Sequence, residues 1–289
     1  MTDFSDKALL PAGFSDVLAP DADFEALVLN RLLRCFSGHG YDRVEPPLIE
    51  FEDGLLTGIG AGLAEQTFRL MDPESQRLMA VRADITPQVA RIAQARLAKA
   101  PRPLRLSYAG QVLRVRGSQL RPERQFTQVG AELIGAAGPA ADAEVIAMAA
   151  GALIELGVAD LSCDLGLPAL VPAVSGDADP SLQAKLRQAL DRKDAAAVAA
   201  LKGAQLFAGL LDATGPAEAA LNVLATLDLP QCVCGERDNL AAVAALLADM
   251  LPGVMITVDP VEHRGFEYHS GLSFTLFARG VRGELGRGG

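Results

Sequence analysis

Two stretches of alternating side chains, joined by a short polar turn, constrain the fold of this chain more than any other feature. They predict strands over Leu104–Arg116 and Arg124–Ile134, joined by a turn that contains Gly117, Ser118 and Pro122. Because successive side chains of a strand point to opposite faces, each strand presents two distinct surfaces. The chain is therefore expected to contain a β-hairpin with one face for a core and one for a ligand or solvent.

The two faces of the second strand differ in chemistry. Gln128, Gly130 and Glu132 share one face with Phe126 and Ile134. Glycine has no side chain, so a flat group could lie against the backbone there. The opposite face is mostly apolar and is expected to meet the core; it carries Thr127, Val129, Ala131 and Leu133.

The polar face predicts a small charged ligand. On the first strand Val112, Arg114 and Arg116 project together. A carboxylate, an amide and a guanidinium on one sheet face are typical of a site for a small zwitterion, in which Glu132 would accept from an ammonium or a ring N–H. Alternatively, these groups pair with one another across a solvated sheet.

Composition and charge limit the class of protein. The chain has 289 residues, half of them hydrophobic, which is enough for one large domain or two small ones. Its first residues do not resemble a signal peptide and no apolar run could span a bilayer, so a cytoplasmic protein without membrane contact is expected. The net charge of −10 argues against nucleic acid as the main partner. Two interpretations remain for a group of four arginines: a local basic face, or solvated charges at the hairpin tip. They are Arg114, Arg116, Arg121 and Arg124.

The cysteines predict neither a disulfide framework nor a metal site. Of the four, only Cys232 and Cys234 are close in sequence, and they have no second pair or nearby histidine. All four are interpreted as buried small hydrophobes. No metal and no cofactor are predicted.

The first half of the chain alternates helices with extended segments. Asp21 or Asp23 can cap a helix that Gly38 and Gly40 end. The extended segment Tyr41–Glu50 contains two prolines, which places it at a sheet edge or a seam between chains. The glycine-rich run Gly58–Leu63 is interpreted as a flexible loop.

A hairpin and a short helix follow this loop. Strands are predicted over Phe68–Asp72 and Arg77–Arg82. Thr86 is then a good N-cap and Pro87 a good first helical residue, with Asp84 just outside the helix start.

The second half adds helices and further strands. A helix over Asp142–Leu156 precedes a strand over Ala159–Asp164, and strands return over Val254–Asp259 and Arg264–Ala278. Residues 175–252 between them are alanine- and leucine-rich and are interpreted as a helical insert used for packing. Hairpins without a βαβ repeat predict an α+β fold with an antiparallel sheet flanked by helices.

Five motifs in order resemble one known family. The chain reads PAGFSDVLAP, GYDRVEPPLIE, VRADITPQVAR, LRVRGSQLRPERQFTQVGAELIG and RGFEYHSGLSF. Together these resemble the catalytic core of histidyl-tRNA synthetase, a class II aminoacyl-tRNA synthetase, over nearly the whole chain. The closer resemblance is to its paralogues, the regulatory subunits of ATP phosphoribosyltransferase. The resemblance implies one class II core over 1–289, cut before motif 3, and a homodimer through the Phe24–Phe36 region.

The resemblance also implies a histidine site. Its residues are expected at the start of a helix, on the motif 2 strand and in the late RGFEYH stretch: Asp84, Thr86, Gln128, Glu132, Arg264, Tyr268 and His269. Asp84 and Gln128 would hold the α-ammonium, Arg264 the α-carboxylate and Glu132 the imidazole N–H. Arg114 keeps the position of a phosphate contact.

Departures from the synthetase pattern separate the two families. Arg116 replaces the motif 2 glutamate that serves ATP recognition, Asp84 replaces a longer glutamate, and His269 replaces a tyrosine. The sequence also lacks motif 3 and the anticodon-binding domain. The prediction is therefore a non-catalytic regulatory subunit, required by a short-form catalytic ATP phosphoribosyltransferase subunit in the first step of histidine biosynthesis. Histidine is the expected feedback effector and tRNA is not an expected partner. The alternatives are an active histidyl-tRNA synthetase and a purely structural assembly subunit with a vestigial pocket.

Overall fold

A computed structural model describes residues 9–118, 121–176, 179–201, 205–262 and 269–289. The chain forms two compact units, Met1–Ala136 and Ala137–Gly289. Helices and strands alternate in both, so the predicted α+β class is confirmed. The assignment of 1–289 as one core with an insert over 175–252 stays a prediction.

The described residues of the first unit form three α-helices, a 3-10 helix and six strands. In chain order these are α1 (Asp21–Gly38), β1 (Asp42–Arg43), β2 (Ile49–Phe51), α2 (Glu52–Leu55), the 3-10 helix (Gly58–Gln66), β3 (Arg69–Met71), β4 (Leu78–Val81), α3 (Thr86–Ala95), β5 (Leu104–Leu113) and β6 (Gln125–Ile134). The strands form two three-stranded sheets, in the orders β1-β5-β6 and β2-β4-β3. Both halves of the proline-containing segment, β1 and β2, lie at sheet edges, as predicted. The glycine-rich run was predicted as a loop, and this is wrong because it winds into the 3-10 helix.

The predicted hairpin is present with a regular antiparallel register. Leu106 pairs with Glu132, Tyr108 with Gly130 and Val112 with Phe126. Directly opposed residues point to the same face of a sheet. The Gln128–Glu132 face of β6 is therefore also the face of Leu106, Tyr108 and Val112.

The core of the first unit lies on this same face, contrary to the sequence-based expectation. Ile85, Val89 and Ala93, at the start of α3 and along it, pack against Leu106 and Val112. The opposite face of β6, Thr127, Val129, Ala131 and Leu133, is only partly buried. Alternation separates two faces but does not tell which one a helix will cover. The polar side chains Gln128 and Glu132 therefore lie next to the core and are shielded by it.

The second unit contains seven helices and five strands in its described residues. They are α4 (Pro139–Glu155), β7 (Leu161–Gly166), α5 (Leu170–Ser175), α6 (Pro180–Asp191), α7 (Ala195–Ala199), α8 (Gln205–Asp212), β8 (Gly215–Pro216), α9 (Ala217–Thr226), α10 (Gln231–Met250), β9 (Met255–Val258), β10 (Ser273–Ala278) and β11 (Gly286–Gly288). The sheet order is β11-β10-β7-β9-β8, with β7 and β9 parallel and the other pairs antiparallel. Buried side chains from β7, α4 and α10, such as Leu165, Ile146 and Leu247, form its core.

The cysteines are all reduced, and three of the four lie in buried or partly buried positions. Cys35 and Cys163 are buried and Cys234 is partly buried, but Cys232 is exposed, so the prediction is wrong for that residue. Burial raises the pKa of the Cys163 thiol to about 12. Among the described residues, no helix is both long enough and apolar enough to cross a membrane.

Candidate ligand-binding site

Four of the predicted site residues meet where α3 begins beside β6. The Thr86 amide donates to Asp84 Oδ1 at 2.9 Å, and Gln128 Nε2 donates to the same oxygen at 3.0 Å. The Gln128 carbonyl oxygen in turn accepts from the Ile85 amide at 2.9 Å. One side chain of β6 is therefore bonded both to the backbone and to a carboxylate at the start of the helix.

Thr86 does not act as the predicted N-cap. The helix already includes Thr86, and the Asp84 carboxylate accepts from its amide instead. A carboxylate is well placed there, because the first amides of a helix are unpaired and carry partial positive charge. The Thr86 hydroxyl is thereby released to donate to Glu132 Oε1 at 2.9 Å.

Tyr108 is a site residue that the sequence interpretation missed. Its hydroxyl donates to Glu132 Oε1 at 3.1 Å and lies 3.0 Å from Thr86 Oγ1. Its ring occupies the space over Gly130, where a Cβ would lie only 2.5 Å from the Tyr108 Cζ atom. The gap left by glycine is thus filled by the protein itself. A signal was available, because Tyr108 is a polar aromatic residue in an apolar alternation and faces the only glycine of the partner strand.

Burial sets the electrostatics of this cluster. Loss of water raises the pKa of Glu132 to about 7, against the opposing effect of hydrogen bonds from Thr86 and Tyr108 and with a further contribution from nearby Asp84. Burial, with the charges of Glu132 and Asp84, also raises the pKa of Tyr108 well above its usual value. Tyr108 therefore stays a hydrogen-bond donor, and Glu132 is a carboxyl group that changes charge near neutral pH.

Arg114 lies beside this cluster. Its Nε donates to the Ala83 carbonyl oxygen at 3.4 Å, one residue before Asp84. Its guanidinium also lies 5.0 Å from the centre of the Phe126 ring. The side chain is thus near the start of the α3 segment, and its role as a phosphate contact stays a prediction.

The arginines near the hairpin tip do not all form an open basic face. The Arg124 guanidinium lies 5.0 Å from the ring centres of both Phe14 and Phe68, and it donates to the Ala12 carbonyl oxygen. Arg116 and Arg121 are exposed. At least Arg124 therefore anchors the chain entry to the hairpin through cation–π and hydrogen-bond contacts.

The remaining predicted site residues belong to the late RGFEYH stretch. Arg264 and Tyr268 lie outside the described residues. His269 lies in the second unit, in close contact with Gly289. Their roles in a histidine site stay predictions. Within the described ranges, no group of three or more His, Cys, Asp or Glu side chains could hold a metal ion.

Comparisons with known proteins place this chain in a family. Residues 13–289 match the model of the histidyl-tRNA synthetase family. The ATP phosphoribosyltransferase regulatory subunit of Paramagnetospirillum magneticum is 59% identical over 293 aligned residues, covering 100% of this chain and 77% of that protein. The chain belongs to the family of ATP phosphoribosyltransferase regulatory subunits.

Solved structures of regulatory subunits and synthetases share the fold. A Bacillus halodurans protein described as an ATP phosphoribosyltransferase regulatory subunit/histidyl-tRNA synthetase superposes with a TM-score of 0.84 at 23% identity, covering 96% of this chain and 74% of that one. A chain of the ATP phosphoribosyl transferase HisG:HisZ complex from Thermotoga maritima superposes with a TM-score of 0.67 at 17% identity, covering 88% of each. The predicted class II synthetase-like fold is therefore confirmed for this regulatory-subunit family member.

Proposed function

We propose that this chain is the non-catalytic regulatory subunit that a short-form catalytic ATP phosphoribosyltransferase subunit requires for activity, and that its pocket binds histidine for feedback control. Family membership supports the regulatory role. The observation that carries the histidine site is the cluster at the start of α3, where Asp84, Gln128 and Glu132 lie together with two hydroxyl groups.

The chemistry of this cluster matches an amino acid with a ring N–H. Both hydroxyl donors of the cluster converge on one oxygen of Glu132, Oε1, which orients the carboxylate. An oriented carboxylate can accept from an imidazole N–H, and Asp84 with the Gln128 amide can hold an α-ammonium. Each such charge-assisted hydrogen bond contributes roughly 1.5–3 kcal/mol. A few of them are enough for useful affinity after the cost of ordering the ligand.

The sequence around Arg116 supports a non-catalytic role. The synthetase family has a glutamate there that recognises ATP, and this chain has an arginine. The replacement removes a hydrogen-bond acceptor and changes the local charge by two units. Catalysis is therefore assigned to the partner chain, and no tRNA is expected to bind.

A second copy of this chain is the proposed partner of helix α1. Phe24 and Leu27 lie three residues apart on that helix, with 64% and 48% of their surfaces exposed. In the segment before and along edge strand β2, Leu48, Ile49 and Phe51 are also exposed. Apolar side chains in these two segments support the homodimer that the family resemblance implies.

Reconstitution with the catalytic subunit tests the proposal. The short-form catalytic chain is assayed with ATP and phosphoribosyl pyrophosphate, alone and after co-purification with this chain, with and without histidine. We expect activity only in the complex, and inhibition of that activity by histidine. Glu132→Gln should preserve activation but weaken inhibition at least about tenfold, because the imidazole N–H would then donate to a neutral oxygen instead of a charged one. Glu45→Gln, at a carboxylate whose side chain is 75% exposed, is the matched control.

Three outcomes would contradict the proposal in different ways. Histidine-dependent ATP–pyrophosphate exchange by this chain alone would assign it to the synthetases. Activation with the same histidine response in wild type and Glu132→Gln would leave an assembly role with an unused pocket. Failure to co-purify or to activate would remove the regulatory-subunit role.

A further inference from the structure

Helix α3 is bonded at one end to the candidate pocket and along its side to the segment 46–50. Its start carries Thr86 and, just before it, Asp84, both in the cluster described above. Gln88 and Arg91 lie three residues apart and so project from one side of the helix. Both of them contact the segment that precedes and includes β2.

The contacts from α3 to this segment converge on Glu50. Gln88 Nε2 donates to Glu50 Oε1 and to the Pro47 carbonyl oxygen, each at 2.8 Å. Arg91 Nε donates to Glu50 Oε2 at 2.9 Å, and its Nη2 donates to the other oxygen. The carboxylate is held bidentately, with only 11% of its side chain exposed.

Arg82 makes further hydrogen bonds among these elements. It is 6% exposed, and it donates to the Pro46 carbonyl oxygen, to the Gln111 carbonyl oxygen of β5 and to Gln88 Oε1. Buried polar groups of this kind are costly unless they are satisfied. Segment 46–50, helix α3 and strand β5 are therefore held by one buried hydrogen-bond network.

Because side chains alternate along β2, the strand has the buried network on one face and exposed apolar side chains on the other. Glu50 points toward α3, whereas its neighbours Ile49 and Phe51 point away and are 38% and 37% exposed. The strand pairs with β4 and lies at the edge of its sheet. One short strand thus carries a buried contact to the pocket helix on one side and a surface proposed for a second copy on the other.

We infer that the Glu50–Gln88–Arg91 network couples occupancy of the pocket to self-association of the chain, so that histidine tightens the homodimer. This rests on the proposed function, which supplies the ligand and the second copy. A ligand on Asp84 and Glu132 holds the start of α3 in one position, and the network passes that order to the exposed side chains of β2. An ordered surface has less conformational freedom to lose when it pairs.

The test is a linkage measurement on the purified full chain. Sedimentation equilibrium gives the dimer dissociation constant with and without saturating L-histidine, and calorimetry gives histidine affinity at concentrations below and above that constant. We expect histidine to tighten the dimer at least about fivefold, within the usual range of coupling between sites. Linkage is reciprocal, and the dimer carries two sites, so each site of the dimer should bind histidine more tightly than the monomer by the square root of that factor, at least about twofold.

Two variants remove the coupling while leaving Asp84, Thr86 and Glu132 in place. Gln88→Met keeps the side-chain volume but loses both donated hydrogen bonds. Arg91→Lys keeps the charge but loses the bidentate geometry. In each variant histidine should still bind, but the ratio of the dimer dissociation constants without and with histidine should fall toward one. Glu52→Gln, which breaks the neighbouring ion pair to Arg69, should behave as wild type.

The outcomes separate this inference from the proposed function. Histidine binding with an unchanged or weakened dimer would overturn the coupling alone, as would unaltered coupling in both Gln88→Met and Arg91→Lys. Failure of the chain to self-associate would also overturn it. Absence of histidine binding in the free chain and in the complex with the catalytic subunit would overturn the proposed pocket and the coupling together.

Discussion

The carboxyl group of Glu132 is buried next to two hydroxyl groups, and its burial determines how it titrates. Its pKa is raised to about 7 from an ordinary value of 4.5. Between these two values the folded chain binds more protons at this position than the unfolded chain does. Stability from this group is therefore present at low pH and falls as the pH rises from about 4.5 to about 7.

Glu132→Gln should remove this pH dependence. An amide oxygen can still accept from Thr86 and Tyr108 but carries no charge to desolvate. At pH 8 we expect the variant to have the higher urea midpoint, with a free energy of unfolding up to about 3 kcal/mol above that of wild type. At pH 5 the two midpoints should approach each other. Glu45→Gln should shift neither curve. A loss of unfolding free energy from pH 5 to pH 8 that survives in Glu132→Gln would assign the titration to another group, such as Asp164, whose pKa burial raises to about 6.

At the scale of elements, the close fit of β5 and β6 depends on one glycine. Gly130 lies directly opposite Tyr108, and the tyrosine ring occupies the position that a side chain would need. The ring in turn brings its hydroxyl to Glu132. The pairing of Tyr108 with Gly130 is therefore part of the hairpin register and also places the Tyr108 hydroxyl beside Glu132.

Gly130→Ala should disturb both the fold and the site. The new methyl group would meet the Tyr108 ring, which is buried and cannot move without displacing Glu132. We expect a loss of about 1–3 kcal/mol in unfolding free energy, as for overpacked cores, together with loss of histidine binding in calorimetry. Gly151→Ala is the control, because that position in helix α4 has open space around it. It should leave binding intact and stabilise slightly. Equal effects of the two substitutions would contradict the close-approach argument.

Hairpin packing also shows what alternation can and cannot predict at this scale. Alternation correctly predicts that Gln128, Gly130 and Glu132 lie on one face of β6 and Val129, Ala131 and Leu133 on the other. The choice of the apolar set for the core was wrong, because α3 covers the polar set and its neighbours on β5. A mixed face can lie against a core when its polar groups are hydrogen-bonded. Here Gln128 bonds with Asp84 and the Ile85 amide, and Glu132 accepts from Thr86 and Tyr108.

At the scale of the whole molecule, the exposed apolar side chains on α1 are the main support for the proposed homodimer. Phe24→Glu places a charge in the surface proposed for the second copy. Burying an unpaired carboxylate is costly, so we expect the dimer dissociation constant to rise at least about tenfold in sedimentation equilibrium.

The control for this prediction is a charge elsewhere on the molecule. Ile154 on α4 in the second unit is 46% exposed, and Ile154→Glu should leave the dimer unchanged. Unaltered self-association in Phe24→Glu, or equal weakening by Ile154→Glu, would place the interface away from α1.

The sequence by itself determined the helix α1, the hairpin β5–β6, the edge position of the proline-containing segment and the family, because each depends on local spacing or on ordered motifs. Only the tertiary structure decided which face of the hairpin meets the core, that Thr86 reaches Glu132 rather than capping its helix, and that Tyr108 fills the space over Gly130. The reason is distance along the chain. Thr86 and Glu132 are 46 residues apart, and Asp84 and Gln128 are 44 apart. Contacts between residues so far apart depend on how helices and strands pack, and local propensity does not encode that packing.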